Sequence, residues 1–255
     1  MHILMTNDDG YRSPGLRILA EEIRKMARVT IISPEKGVSS CSNALTLRKP
    51  LRLKKKKEDK NITVYSLNGT TGDCCKIALE YILKDDLPDL IVSGMNDGYN
   101  TGSDCLYSGT VAGAMESIFA GIPALAVSTE HHKEEIFLQA AAKLTVQIIQ
   151  KYFIKQHYSG ILNMNIPCIE TKKMNEKQIK IAPLGLQPYS NIVKINKKEQ
   201  TEIEFIISGE PINGDTKGTD VYWTRKGYIT LTPLQWNQTD KENMEMIEQI
   251  LKQNQ

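Results

Sequence analysis

Over its first 130 residues the chain alternates short β-rich apolar runs with stretches whose apolar side chains recur every three or four positions. Few architectures besides βαβ units around a mostly parallel sheet accept that alternation. Ile3-Leu4-Met5 opens the first strand. Ser13 and Pro14 have the form of an N-cap and a first helical residue, and Leu16, Leu19, Ala20, Ile23 and Met26 then give the helix one apolar face. Residues 29–32 read as a second strand ending at Ser33-Pro34, residues 73–83 as a helix, and residues 90–92 as a third strand. A helix from Val111 is stopped at Gly121. A strand over 123–127, a long helix over 134–152 and a strand over 161–165 complete a doubly wound α/β sheet.

Beyond residue 169 the texture changes. Residues 180–183, 202–207 and 228–231 read as strands between polar turns, followed by a helix over 240–252. The expected organisation is a single domain with a core over 1–168 and, over 169–255, a β-hairpin arm and terminal helix used in oligomerisation. A hairpin with little core of its own needs a partner surface, which predicts a homodimer or larger assembly with the arm exchanged between subunits.

A chain of 255 residues can bury a substantial core, and its net charge of +2 offers no basic stripe for a nucleic-acid polymer. Arg52 and Lys54 to Lys57 stand beside Glu58 and Asp59 and read as a solvated loop or edge-strand device. No leader pattern opens the sequence, and no segment reaches the roughly 18 apolar residues that span a bilayer. A cytoplasmic protein without membrane contact is expected. Cys41, Cys74, Cys75, Cys105 and Cys168 contain no C-x-x-C pair, so neither a disulfide framework nor a zinc ribbon is supported, and Cys74 and Cys75 read as small buried hydrophobes.

The chemistry gathers where strands end. Ile3-Leu4-Met5 delivers Asp8 and Asp9 onto a turn at Gly10, and ligands of open α/β sheets bind beyond the carboxyl ends of strands. Two adjacent carboxylates cost free energy unless a cation or a shared proton sits between them, and carboxylate oxygens suit Mg²⁺ or Mn²⁺. Residues 39–43 after the second strand and Asn96 after the third add a hydroxyl and an amide oxygen on the same edge. His131 and His132 lack the spacing of two ligands on one helix face and read as surface residues. Ser108, Gly109 and Thr110 open the Val111 helix, where hydroxyls and free N–H groups favour an anion such as phosphate.

Together these residues carry a specific resemblance. The chain resembles the SurE family of survival proteins, metal-dependent 5'/3'-nucleotidases, almost from end to end. The matching stretches are NDDG at 7–10 with Pro14-Gly15, S-x-x-S-N-x-L-T at 39–46, SGMN at 93–96, YSGTVAGAME at 107–116, NxNxP at 163–167, and GTD with GYITLTPL at 218–234. The resemblance implies a Rossmann-like fold, one divalent cation (Mg²⁺ or Mn²⁺) held by Asp8, Asp9, Ser39 and Asn96, and phosphate contacts from Asn43, Ser108, Gly109 and Thr110. It further implies dimers or tetramers joined through the arm, and hydrolysis of nucleoside monophosphates and short polyphosphate. Asp8 and Asp9 are then the catalytic residues of a phosphomonoesterase acting by water attack, with an aspartyl-phosphate route as the alternative. Family members often carry arginine where this chain has Val38 and a small residue where it has Asp97. Those departures leave open a nucleotide-binding regulator with little turnover. No G-x-G-x-x-G follows the first strand and no G-x-x-x-x-G-K-[ST] is present, which speaks against a dinucleotide oxidoreductase and a P-loop NTPase.

Overall fold

The computed structural model describes residues 1–131, 134–199, 201–212 and 216–253. Strand β1 (His2–Thr6) is followed by α1 (Pro14–Ile23), β2 (Arg28–Pro34), β3 (Leu53–Asp59), β4 (Ile62–Leu67) and α2 (Thr71–Ile77). Then come β5 (Leu90–Asp97), α3 (Gly109–Met115), β6 (Ala124–Thr129), α4 (Glu135–Ile148), β7 (Ile161–Ile166) and β8 (Ile179–Ile181). The last part holds β9 (Tyr189–Ser190), β10 (Val193–Lys198), β11 (Ile203–Ile207), β12 (Glu210–Pro211), α5 (Asp220–Arg225), β13 (Ile229–Leu234) and α6 (Lys241–Gln253).

Nine strands form one sheet in the order β3-β4-β2-β1-β5-β6-β7-β13-β8. The run from β4 to β7 is parallel, and β3 and β13 each join it antiparallel. Alternation along the strands separates two apolar layers. Ile3, Met5, Leu90 and Val92 pack with α1 and α4, whereas Leu4, Ile91, Ala124 and Ala126 pack with α2 and α3. The result is the expected three-layer α/β/α sandwich, since side chains of successive strand residues point to opposite faces.

Three findings depart from expectation. Ile62–Leu67 forms β4, a strand that its mixed sequence ITVYSL did not announce, and the lysine-rich β3 caps its outer side as a solvent-exposed edge. Strand β5 does not end at Val92 but runs to Asp97, with a register break between Ser93 and Asn96. Asn96 therefore stands inside the strand rather than in the loop after it. Finally, β8 and β13 are strands of the main sheet, so the chain after residue 168 divides between that sheet and a narrower hairpin arm built from β9 to β12. Among the described residues no helix is long and apolar enough to cross a membrane.

One carboxylate fastens the arm's root to the sheet edge. Asp220 is fully buried, and its two oxygens accept N–H groups of Gly102, Gly185 and Val221, each at 2.8 Å. Asp220→Ala strands those donors in a dry site, at an expected cost of about 3–5 kcal/mol in urea unfolding. A cost below about 1 kcal/mol would remove this role.

Candidate active site

The adjacency of β2, β1 and β5 puts three strand ends side by side, and the first turn is built around Asn7. This fully buried amide donates to Gly10 O (3.2 Å) and Ser13 Oγ (2.8 Å) and accepts from the Ser33 hydroxyl on β2. Ser13 in turn caps α1 through Leu16 N. Thr71, at the start of α2, donates to Asn7 O at 3.2 Å. The turn carrying Asp8 and Asp9 is therefore held from four sides.

Asp8 is 4 % exposed, and its Oδ1 accepts from Thr110 Oγ1 at 2.6 Å. Burial raises its pKa, an effect opposed by that hydroxyl and by backbone N–H groups, those of Gly109 and Thr110 among them. The approach of α3 is close: a Cβ on Gly109 would stand 2.8 Å from Asp8 Cβ and 2.9 Å from Oδ2. Asp9 is less enclosed and accepts from Asp97 N–H at 3.0 Å. Burial first, then the neighbouring Asp8 and Asp97, push its pKa from 3.8 up to about 6 against the pull of that N–H and of His131.

Asn96 donates Nδ2–H to Gly98 O (2.8 Å), which leaves its Oδ1 without a protein donor among the described residues. Val38 N–H donates to Asp8 O at 2.8 Å, and Ser39 follows it into solvent. The loop bearing Asn43 is clasped on both sides. Ser42 donates N–H to Tyr107 O (3.0 Å) and its hydroxyl to Leu106 O (2.6 Å), while Thr70 Oγ1 donates to Ala44 O (2.6 Å). Ser108 caps α3 by accepting Val111 N–H at 3.0 Å, so its hydroxyl has a structural duty. All the residues singled out in the sequence thus lie on this edge or on the loops that touch it.

Two functional features escaped sequence reasoning. One is the Thr110–Asp8 hydrogen bond, which makes the start of α3 a partner of the carboxylate pair. The other is the wall formed by Asn163 and Asn165, which hold the loop after β5 through Asn100: both amides donate to Asn100 O, and Asn165 Oδ1 accepts its N–H. Their spacing of two on β7 was the available signal. Asp97 lies 3.5 Å from exposed His131, which places that histidine at the mouth, and His132 falls outside the described residues.

Among the described residues neither Asp8 nor Asp9 forms an ion pair with lysine or arginine, and no cluster of three His, Cys, Asp or Glu side chains is present. Two uncompensated carboxylates with a hydroxyl and an amide oxygen nearby make an all-oxygen set, which fits a hard divalent cation. A raised acid pKa means the folded protein binds the proton more tightly than the unfolded chain, so stability falls as pH rises from about 4 through 6. For Asp9, discounted for solvent screening, the loss is about 1–2 kcal/mol. The melting temperature of EDTA-stripped protein is expected to drop by about 2–4 °C over that range, less so in Asp9→Asn, and Mg²⁺ or Mn²⁺ at pH 7.5 to raise it only in the parent. A flat profile without a cation response would remove the cation site.

Fold and site define a doubly wound α/β protein with a carboxylate pair and a capped helix start on one sheet edge. The chain belongs to the SurE family, matching the model described as "Survival protein SurE" over residues 3–191. It is 38% identical over 259 residues to the 5'-nucleotidase SurE of Campylobacter lari, covering 98% of each chain. It is 37% identical over 245 residues to that of a Thermoanaerobacter species, covering 94% of each. A crystal structure of the SurE protein from Aquifex aeolicus superposes with a TM-score of 0.82 at 33% identity, covering 98% of this chain and 99% of that one.

Proposed function

We propose that the protein is a metal-dependent phosphomonoesterase that hydrolyses nucleoside 5'- and 3'-monophosphates to nucleoside and phosphate, and that also trims short polyphosphate. The juxtaposition of the uncompensated Asp8-Asp9 pair with the start of α3 carries this reading, and the relatives named as 5'-nucleotidases support it. Asp8, Asp9, Ser39 and Asn96 would hold one Mg²⁺ or Mn²⁺. Bound there, the cation supplies Lewis-acid polarisation of the phosphoryl oxygens.

The chain's own groups do the rest. Asn43, Ser108, Gly109 and Thr110 bind and orient the phosphate, offsetting the charge that develops on its oxygens. Thr110 keeps Asp8 fixed and engaged, so Asp9, the more open carboxylate, takes the proton of the attacking water. Tyr107, 65% exposed and next to Ser108, presents a ring to the base. The protein acts in the cytoplasm as a homodimer or homotetramer, and the exposed Val193, Ile195, Ile203, Phe205 and Ile207 of the arm favour assembly through it.

The deciding experiment is phosphate release from a panel of 5'- and 3'-nucleoside monophosphates by EDTA-stripped protein, before and after Mn²⁺ or Mg²⁺. Cation-restored release is the expected result. Nucleotide binding without release would instead favour the regulator, with Val38 and Asp97 as its cause.

A further inference from the structure

The turn Gly102–Leu106, between β5 and α3, touches three things at once. Forward, it leads through Tyr107 to Ser108, with Tyr107 N–H donating to Asp104 O at 3.0 Å. Sideways, Leu106 and Tyr107 carry the two hydrogen bonds that hold Ser42 and hence the Asn43 loop. Behind, it meets the root of the arm: Gln187 N–H donates to Ser103 Oγ at 3.1 Å, and Tyr189 Oη donates to Asp104 Oδ2 at 2.5 Å. Tyr189 is the first residue of β9 and pairs with Pro211 of β12, so its hydroxyl reports how the whole arm is seated. Arg225 of α5 grips the same root through Gln187 Oε1 (3.1 Å) and Ile212 O (2.8 Å).

We propose that Tyr189 and Asp104 form a positioning pair that couples the seating of the arm to the placement of the phosphate-binding groups. The inference rests on the phosphomonoesterase reading above. Neither side chain is assigned contact with substrate. The pair fixes the turn, and the turn fixes both Ser108 and the Ser42 clasp that presents Asn43. Loosening it spreads the phosphate contacts without touching Asp8 or Asp9, so substrate affinity suffers more than turnover. Gly102, itself held by Asp220, is the fixed end about which the turn loosens.

The test uses the full chain with Tyr189→Phe, Asp104→Asn and the double variant. Tyr189→Phe keeps the ring and deletes one hydrogen bond, which predicts a KM for nucleoside monophosphate raised about threefold to tenfold with kcat within about twofold. The double variant is expected to be no worse than either single one, the signature of two groups acting as a unit. Light scattering should show the parent's assembly in all three. Unchanged KM in Tyr189→Phe, or effects that add in the double variant, would overturn the pair. Calorimetry with inorganic phosphate on the same proteins separates the two readings. A parent that releases phosphate from no monoester ends the phosphomonoesterase reading, while phosphate affinity lowered in the variants still supports the pair, and unaltered affinity removes it.

Discussion

Asp9→Asn is expected to lower kcat/KM for a nucleoside monophosphate by about 10³-fold while leaving the fold intact. Asparagine has nearly the same shape and keeps an oxygen to accept Asp97 N–H, so the turn loses no contact. What it loses is charge: a cation ligand and the base for the attacking water disappear together, and such a base alone contributes about 10²- to 10⁴-fold. The sign on stability is opposite. Removing a carboxyl whose pKa is pushed up to about 6 relieves repulsion from Asp8 and Asp97, so the metal-free variant should melt no lower than the parent at neutral pH. Steady-state rates and a thermal melt on one preparation check both halves. A variant within tenfold of the parent would take Asp9 out of the chemistry.

The second large effect lies one strand away and concerns folding. Gly94 has φ +133°, and a Cβ there would stand 2.2 Å from Val127 O and 3.1 Å from Val127 C. Both are backbone atoms of the neighbouring strand β6, which cannot swing aside as a flexible side chain can. Gly94→Ala must therefore part β5 from β6 where Asn96 and Asp97 pair with Ser128 and Thr129. The expected cost exceeds about 4 kcal/mol, enough to leave little soluble, cooperatively melting protein. Gly121 provides the contrast. Its φ of +65° is also left-handed, but no atom lies within 4 Å of a Cβ, so Gly121→Ala should cost only about 1–2 kcal/mol. Equal melting temperatures for the two variants would refute the close-approach argument.

What could be read from the chain follows from the range of the forces involved. Apolar periodicity is local, so β1, α1, β2 and α4 were legible, as was the edge character of the lysine run. Asp8, Asp9 and Asn96 were legible because parallel topology brings strand ends together whatever lies between them. Long-range pairing left no local mark. Nothing near Ile179 or Ile229 announces that these residues complete the main sheet, and ITVYSL is too mixed to declare β4, where only Ile62, Ser66 and Leu67 are buried. The Thr110–Asp8 bond joins residues 102 positions apart. It follows from how closely α3 can approach across Gly109, a matter of packing rather than pattern.

The Asp220 clasp has a consequence for biosynthesis. Gly102 precedes Asp220 by 118 residues, and Gly185 precedes it by 35. At about 5–20 residues per second, translation needs about 6–24 s to travel from the glycine to its acceptor. During that interval β1, β2, β4 and β5 are already available to pair, while the turn leading to Ser108 has no carboxylate to receive its N–H. A nascent chain thus acquires its sheet before its phosphate contacts, and competence to handle substrate arrives only as the final strand of the sheet is being made.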